Sequence, residues 1–364
     1  MAKNVAGTRR KSKTLRLLDG ERIFVGVDVH KETYSVALCS DRRGHLKHWK
    51  QPAAPETLLR ALQAYQPQVA HIVYEAGPTG FTLYRKLIAA GFDADVIAPS
   101  HTPTASADRN KTDRLDCRNL AFLDAKGMLH PIDVPTLQEE EDRQLLRRRD
   151  QVSRDVKRTK VRIRSLLLQH GIAEPHGLAH WSKAALAALE ELHLCPGLRA
   201  TLDSLLEELR QREAERNRLT RSIKALADED RHKATASVMQ TVPGVGHLTA
   251  MTLILEMPRL ERFDTREQVS AYQGLAPTVH QSGQTEHRGR LNQCGNSRIR
   301  TALVLAAWRW VALDPWARER FKALCVKLRQ RQKAIVAMAR RLGVLLWRLV
   351  TRGEVYLPRP VGEA

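Results

Sequence analysis

The first apolar run of the chain reads Ile23-Phe24-Val25-Gly26-Val27-Asp28-Val29. Its β-branched side chains predict a buried strand, although one aspartate lies inside it. Two more strands follow at Tyr34 to Cys39 and at Leu46 to Trp49, and Asp41 to Gly44 between them is typical of a hairpin turn. The connections are short, so we expect these three strands to be antiparallel.

The next part of the chain alternates between helix and strand patterns. His71 to Tyr74 and Ala94 to Ala98 have the apolar character of buried strands. Three amphipathic stretches predict helices, at Pro55 to Tyr65, Phe81 to Ala90 and Thr112 to Lys126. This order predicts an α/β domain over residues 22–130, with a mixed sheet and helices on both of its faces.

Four carboxylates in this domain are candidates for a metal site. Asp28 lies inside the first strand, Glu75 ends the fourth, and Asp113 and Asp116 are one helical turn apart. An aspartate in an apolar strand is costly unless something neutralises it, and open α/β sheets bind ligands outside the carboxyl ends of their strands. If strands one and four are neighbours, the closing helix can bring the four acids together. Two Mg²⁺ ions about 3.5–4 Å apart would suit them.

Each acid also has an ordinary interpretation. Asp28 could pair with Lys31, Glu75 could be a turn residue, and Asp113 could be a first-turn carboxylate on an exposed helix start. The cations near the acids would suit a polyanionic substrate. We take them as candidate nucleic-acid contacts: Lys31, Lys111, Arg114 and Arg118.

Composition narrows the class of protein. The 364 residues carry a net charge of +20, which indicates a nucleic-acid partner. Five scattered cysteines without CxxC spacing indicate neither a zinc site nor a disulfide framework, and fit a reducing cytoplasm. No apolar run approaches the ~20 residues of a membrane span. Residues 1–21 predict a basic disordered tail, which could contact phosphates loosely or only aid solubility.

Residues 138–230 predict a coiled-coil helical arm. A heptad-like seam is formed by Leu145, Val152, Val156, Ile163 and Leu166. A second apolar seam runs from Leu198 to Leu226, after a break at Gly171 to Trp181. Between Arg143 and Arg164 there are ten Lys or Arg and two Asp. The arm could dimerise and grip nucleic acid, or it could be a structural spacer.

Residues 235–352 predict a mainly helical C-terminal domain, followed by a tail at 353–364. Thr241 to Ala250 is similar to the turn of a helix-hairpin-helix element, where amides near Gly244 and Gly246 could bind a phosphate. A simple tight turn would use the same glycines. Asn296 to Leu313 and Pro315 to Val350 predict two helices.

A glycine-rich segment from Gln273 to Gly283 precedes these helices. Ser282 could present its hydroxyl to a phosphodiester, although a serine in a loop is more often a turn residue. Basic side chains that follow it could counter the charge that develops on the phosphate: Arg288, Arg290, Arg298 and Arg300.

Three motifs of the first domain carry a family resemblance: Gly26-Val27-Asp28-Val29-His30-Lys31, Tyr74-Glu75-Ala76-Gly77-Pro78-Thr79-Gly80 and Lys111-Thr112-Asp113-Arg114-Leu115-Asp116. Together they resemble the DEDD transposases of bacterial insertion sequences, relatives of the Piv DNA invertases that include bridge-RNA-guided recombinases. The resemblance implies a RuvC-like domain with an RNase H-like fold. It also implies that Asp28, Glu75, Asp113 and Asp116 form the metal-binding tetrad.

The C-terminal half resembles the same family independently, through Gly274-Leu275-Ala276-Pro277, Ser282-Gly283 and Gly295-Asn296 with Arg300. The resemblance implies that Ser282 is a nucleophile that forms a covalent phosphoserine with DNA; Ser270 and Ser297 do not lie at the matching place. It further implies active sites shared between the protomers of a dimer or tetramer, a coiled-coil arm that supports assembly, and a noncoding guide RNA.

The sequence therefore predicts a bacterial, cytoplasmic DNA recombinase, nucleoid-associated when acting, that excises and inserts its own element with Mg²⁺ and a serine. One alternative is a metal-dependent, structure-specific DNA endonuclease that uses water as the nucleophile. The other is a non-catalytic nucleic-acid-binding protein, which an intact tetrad argues against.

Overall fold

The computed structural model describes residues 15–99, 113–282, 285–291 and 295–358, with side chains given outside 113–115, 278–282 and 285–290. The chain divides into two compact units, Met1–Val134 and Pro135–Ala364. Within the described residues, no helix is long and apolar enough to cross a membrane.

Over its described residues, the first unit is a five-stranded mixed sheet with three α-helices. The strands are β1 (Ile23–Val29), β2 (Thr33–Ser40), β3 (Gly44–Pro52), β4 (Val69–Glu75) and β5 (Ala94–Ile97). The helices are α1 (Pro55–Gln63), α2 (Thr82–Ala89) and α3 (Asp113–Ala125). The sheet order is β3-β2-β1-β4-β5, in which β1 is antiparallel to β2 and parallel to β4. The mixed sheet is as the sequence predicts, and the condition that the first and fourth strands be neighbours is met.

Helices cover both faces of this sheet because the strands bury side chains on both sides. On one face, Val25 and Val27 of β1 pack with Leu58 of α1 and Leu87 of α2. On the other face lies α3, and a Cβ atom on Gly26 would come within 2.1 Å of the carbonyl oxygen of Cys117. Only glycine permits helix and strand backbones to approach so closely.

The second unit is mainly helical and begins with a pair of long helices. They are α4 (Leu137–Gln169) and α6 (Pro196–Ala227), with α5 (Lys183–Glu190) between them in the chain. Cross-helix hydrogen bonds join Arg148 to Glu215 and Thr159 to Glu208, so the two helices run antiparallel. Their seam buries Val156, Ile163, Leu202, Leu206 and Leu209 among others.

The rest of this unit packs around a second apolar core. Its helices are α7 (Asp230–Gln240), α8 (His247–Glu256), α9 (Arg266–Tyr272), α10 (Ser297–Leu313), α11 (Pro315–Leu328) and α12 (Arg331–Arg352). The ends of the long pair contribute Leu146, Ile223 and Leu226 to this core. The arm is thus continuous with the packing of the helices that follow it.

Three features differ from the sequence expectation. The stretch Pro315 to Val350 is two helices, because Arg329 adopts a left-handed conformation (φ 53°) between them. A hairpin begins in the glycine-rich segment and continues beyond it, with strands β6 (Pro277–Ser282) and β7 (Thr285–Leu291). The predicted tail docks in part, since the Tyr356 hydroxyl donates to Asp314 at 2.7 Å and its side chain is buried.

Candidate functional site

Asp28 and Glu75 lie at the same end of two neighbouring strands. Val27 of β1 is the register partner of Tyr74 of β4 in parallel, so the next residue on each strand is one of the two acids. Val27 and Tyr74 are fully buried on one face. Because strand side chains alternate, Asp28 and Glu75 both point to the other face, where α3 lies.

Helix α3 runs antiparallel to β4. Its Asp124 contacts His71 at the start of the strand, with Oδ1 2.8 Å from Nδ1, and its Leu120 packs on Val73. From Asp124 to Asp116 the helix rises about 12 Å, and from His71 to Glu75 the strand rises about 13 Å. Asp116 therefore lies level with Glu75, and the helix begins one turn further on at Asp113.

The charge of Asp28 reaches this helix. Burial raises the pKa of the Cys117 thiol to about 11, and the negative charge of Asp28 contributes to the rise. Asp28 is thus close to the residue next to Asp116. Its Oδ2 also lies 3.0 Å from Nε2 of His30, a contact that sequence reasoning did not single out.

A hard cation such as Mg²⁺ prefers oxygen ligands, and the acids at this end of the sheet offer only carboxylate oxygens. The side chain of Asp113 lies outside the described residues. Among the side chains that are described, no group of three or more His, Cys, Asp or Glu is placed to hold a metal ion. The donor chemistry fits the cation, but the side chains of Asp28, Glu75 and Asp116 are all described and are not placed together as a metal-holding group.

The cations proposed near the acids fall into two groups. Lys31 is exposed after β1, and Arg118 is half-buried on α3. Lys111 and the side chain of Arg114 lie outside the described residues.

Ser282 is the last residue of β6 and is paired with Thr285. Arg288, opposite Val279, and Arg290 belong to β7. The side chains of all three predicted residues lie outside the described set. The structure therefore places the predicted nucleophile at the tip of a hairpin, one strand away from two of the predicted arginines.

The base of this hairpin is tightly closed. A Cβ atom on Gly295 would come within 2.2 Å of the backbone of Gly274. The amide of Asn296 donates to the carbonyl of Tyr272 at 2.9 Å, and Nη1 of Arg300 donates to the carbonyl of Gly274 at 3.2 Å. Arg300, predicted to contact phosphate, is therefore engaged in holding the two arms of the loop together.

A buried carboxylate, Glu256, connects that base to the long helix pair. Arg147 of α4 donates two hydrogen bonds to it, both 2.9 Å, and Nδ2 of Asn296 donates a third at 3.1 Å. Burial opposes ionisation of Glu256, but Arg147, Asn296 and Arg298 outweigh it and lower the pKa. Glu256 was not among the residues predicted from the sequence, although a single glutamate at the end of the apolar stretch Leu248 to Met257 is the same kind of signal as Asp28.

Arg298 also has intramolecular partners. Its Nε lies 3.6 Å from Asp150 and 3.8 Å from Glu256. Burial raises the pKa of Asp150 even though Arg149 and Arg298 are near it. These contacts give Arg298 a role in the network at the base of the hairpin.

The two predicted phosphate-binding glycines lie in different environments. Gly244 has φ +90°, and a Cβ atom there would come within 2.7 Å of the Trp310 amide nitrogen of α10. Its lack of a side chain is needed for packing. Gly246 is exposed and is the N-cap residue of α8.

Comparison with known proteins gives matches to both halves of the chain. A model described as the transposase IS116/IS110/IS902 family matches residues 236–322, and a DEDD transposase model of the IS110 type matches residues 25–172. The protein y4qE of Sinorhizobium fredii, named as a transposase, is 31% identical over 300 residues, which are 80% of this chain and 73% of the relative.

Two further relatives align with nearly the whole chain. The protein y4rJ of Sinorhizobium fredii, also named as a transposase, is 30% identical over 96% of this chain and 97% of its own length. The transposase for insertion sequence element IS1111A of Coxiella burnetii is 26% identical over 96% of this chain and 93% of the relative.

Proposed function

The chain belongs to the IS116/IS110/IS902 family of DNA transposases, and from that premise we propose how its own residues perform the reaction. Asp28, Glu75, Asp113 and Asp116 form the metal-binding tetrad, and Ser282 is the nucleophile. The observation that supports the metal site is the antiparallel run of α3 along β4, which directs the start of α3, with Asp113 and Asp116, towards the strand end that carries Glu75.

The tetrad would hold Mg²⁺, which when bound neutralises charge on the phosphodiester that reacts. The four acids would otherwise repel one another at one end of the sheet. The fixed strand ends supply Asp28 and Glu75, and α3 supplies the other two from a separate element.

Ser282 attacks the phosphodiester. A bond forms between its Oγ and the phosphorus as the bond to the leaving sugar oxygen breaks; the serine hydroxyl loses its proton and the leaving oxygen gains one. Arg288 and Arg290 on β7 counter the phosphate charge. The reverse reaction, with a sugar hydroxyl from another strand end, rejoins DNA and releases the serine. The phosphate ester bond that is broken in the DNA is therefore exchanged for a phosphoserine bond and is not hydrolysed by water.

The partners that we propose are DNA, a noncoding guide RNA and further copies of the chain in a dimer or tetramer. The net charge of +20 supports polyanionic partners. Ser282 lies 166 positions after Asp116 in the chain. Assembly between protomers is the proposed means by which the serine and the carboxylates act on one phosphate.

A covalent-adduct assay tests the mechanism. Wild type, Ser282→Ala, Asp116→Ala and Ser297→Ala are each incubated with element-end DNA, Mg²⁺ and RNA from cells carrying the element, and then denatured. We expect protein linked to DNA for wild type and for Ser297→Ala, whose exposed serine is the matched control. Neither Ser282→Ala nor Asp116→Ala should form the adduct.

Other outcomes would contradict parts of the proposal. Full-rate cleavage by Ser282→Ala without any adduct would establish the water-based endonuclease instead. If wild type formed the same amount of covalent adduct with and without RNA, the guide RNA would not be part of the mechanism. DNA binding without cleavage by wild type would favour a binding protein.

A further inference from the structure

A cavity of about 790 Å³ lies within the second unit. Its walls are α9, the start of β6, α10, α11 and α12. This volume is within the roughly 300–1,000 Å³ of ligand pockets. Nothing in the transposase mechanism described above uses it.

The cavity is lined by an excess of positive charge. Among the described residues of the lining there are four arginines, Arg266, Arg340, Arg341 and Arg348, and one carboxylate, Glu267. Glu267 already accepts a hydrogen bond of 2.7 Å from Arg266. Burial, together with the neighbouring charges of Arg320 and Arg340, lowers the pKa of Arg341. An anion in the cavity would relieve this repulsion between cations.

Two buried donors of the lining lack an acceptor. Among the described atoms, Nε1 of Trp310 and Nε of Arg348 have no hydrogen-bond partner, and Trp310 is only 1% exposed. Both residues line the cavity. Buried polar groups are nearly always hydrogen-bonded, so each such exception calls for an explanation. Both nitrogens are shielded from the cavity in this structure, so acceptor atoms of a ligand reach them only after the two side chains rotate.

Aromatic rings form another part of the wall. Trp310 and Trp316 have ring centroids 5.8 Å apart, and Tyr356 lies on the same cavity. Rings beside arginines are the combination on which single-stranded nucleic acids bind, with bases stacked on the rings and phosphates paired with the cations.

We propose that this cavity holds one unstacked base, with its adjoining phosphate, from a single-stranded segment of nucleic acid. Trp316 stacks on the base, and Arg340, Arg341 and Arg348 pair with the phosphate.

Its position supports a nucleic acid over a small anionic metabolite, an argument that rests on the proposed function. Pro277 lines the cavity and begins β6, whose last residue is Ser282. At the rise of a strand, these two backbone positions are at most about 17 Å apart. A stacked single strand covers that distance in about five nucleotides.

Fluorescence anisotropy of the full chain tests the site. The probes are an end-labelled oligothymidine, an oligouridine and an abasic DNA strand of the same length. Arg348→Met and Trp316→Leu should weaken binding of a base-bearing strand about tenfold. The matched control Lys333→Met also removes one charge from α12, but Lys333 is exposed and outside the cavity lining. It should bind like wild type.

The abasic strand isolates the role of the base. It should bind wild type more weakly than oligothymidine and should be insensitive to Trp316→Leu. A tenfold loss with either polymer supports the site, and the polymer that shows it identifies the strand as DNA or RNA. Equal binding by Arg348→Met, Trp316→Leu and Lys333→Met would overturn the proposal, as would equal binding of abasic and base-bearing strands by wild type.

A wild-type measurement guards against variants that fail to fold. Thymidine monophosphate should quench tryptophan fluorescence saturably, and inorganic phosphate should not; no quenching by the nucleotide would count against the site. Binding requires no strand cleavage, so Ser282→Ala should bind all three probes like wild type. An active Ser282→Ala enzyme would refute the serine mechanism and leave the binding result intact.

Discussion

Gly26 controls how closely α3 lies on the sheet. A Cβ atom at this position would be 2.1 Å from the Cys117 carbonyl oxygen and 2.6 Å from the Ala121 amide nitrogen. Both obstacles are backbone, which cannot rotate away as a side chain can. The distance of Asp116 from Asp28 and Glu75 therefore depends on a residue that carries no functional group.

We expect Gly26→Ala to lower the free energy of unfolding by about 1–3 kcal/mol, the usual effect of overpacking. It should also abolish adduct formation, because α3 must shift. Urea denaturation and the covalent-adduct assay measure the two effects. Gly197→Ala is the control, since nothing lies within 4 Å of its added Cβ; its stability should change by less than about 0.5 kcal/mol. A stable, active Gly26→Ala protein would show that the contact does not position α3.

His71 fixes the other end of α3. Burial opposes its protonation, but the hydrogen bond and charge of Asp124 outweigh burial and raise the pKa of His71 above 6.5. Asp95 is the weaker partner, with its oxygen 3.4 Å from Nε2, and burial raises the pKa of Asp95 despite the imidazole beside it.

The raised pKa of His71 predicts a pH dependence. Its stabilisation should be fully present below the ordinary pKa of 6.5 and should be lost as the pH rises through the raised value in the folded protein. Urea midpoints measured across this window should fall for wild type, and this component should be missing in His71→Gln. The exposed His170 supplies the control, because His170→Gln should keep the wild-type profile. Identical profiles for His71→Gln and wild type would contradict the prediction.

At the scale of elements, Glu256 joins three helices and a hairpin. It receives Arg147 from α4 and Asn296 from the start of α10, while its own helix α8 lies between them. Tyr272 donates to its backbone carbonyl at 2.9 Å. The long helix pair is thereby coupled to the segment from which β6 and β7 project.

Glu256→Gln should lower the free energy of unfolding by about 3 kcal/mol, because it leaves Arg147 partly buried beside a neutral group. Adduct formation should fall more than DNA affinity, since the hairpin loses its support and the phosphate contacts remain. A double-mutant cycle with Arg147→Met should give a coupling of about 0.5–3 kcal/mol. Glu319→Gln is the control, because it breaks an exposed ion pair with Lys322; it should lower the free energy of unfolding by less than about 1 kcal/mol. If the effects of Glu256→Gln and Arg147→Met on stability were additive, the two residues would not be coupled.

The packing between the two long helices can also be tested at this scale. Ile163 is fully buried in it, whereas Val161 on the same helix is 56% exposed. Ile163→Ala should destabilise the protein by about 2–5 kcal/mol, and Val161→Ala by less than about 0.5 kcal/mol. Thermal unfolding compares the two. A similar small effect from both would mean that the pair is not packed through this face.

For the whole molecule, the excess of positive charge predicts strongly salt-dependent binding. The logarithm of duplex affinity should fall linearly with the logarithm of salt, with a slope of about −0.9 for each phosphate neutralised. Arg154 and Lys157 are exposed on α4. The double variant Arg154→Gln/Lys157→Gln should reduce the slope by up to about 1.8 if α4 grips DNA. The α6 double variant Arg218→Gln/Arg221→Gln is the control. If the α4 variant has the same salt slope as wild type and this control, the long helix pair is a spacer.

The fold of the first unit was predictable because its signals are local. Apolar runs, turn residues and helical periodicity are properties of neighbouring residues, and they indicated five strands and three helices in the order found. The β6–β7 hairpin was not indicated, because its strands are short and mostly polar and depend on closure by Gly274 and Gly295, which are distant in the chain. The helix break at Arg329 was not indicated either, because no glycine or proline lies near it in the sequence.

The sequence by itself determined the family, the chemistry of the candidate residues and the elements that carry them, since these depend on residue type and short spacing. Only the tertiary structure decided that Gly26 admits α3 to β1, that His71 and Asp124 set its register, and that Arg298, Arg300 and Gly244 have structural partners. It also revealed Glu256 and the arginine-lined cavity. Such features arise from contacts between residues far apart in the chain, and periodicity along the sequence carries no record of them.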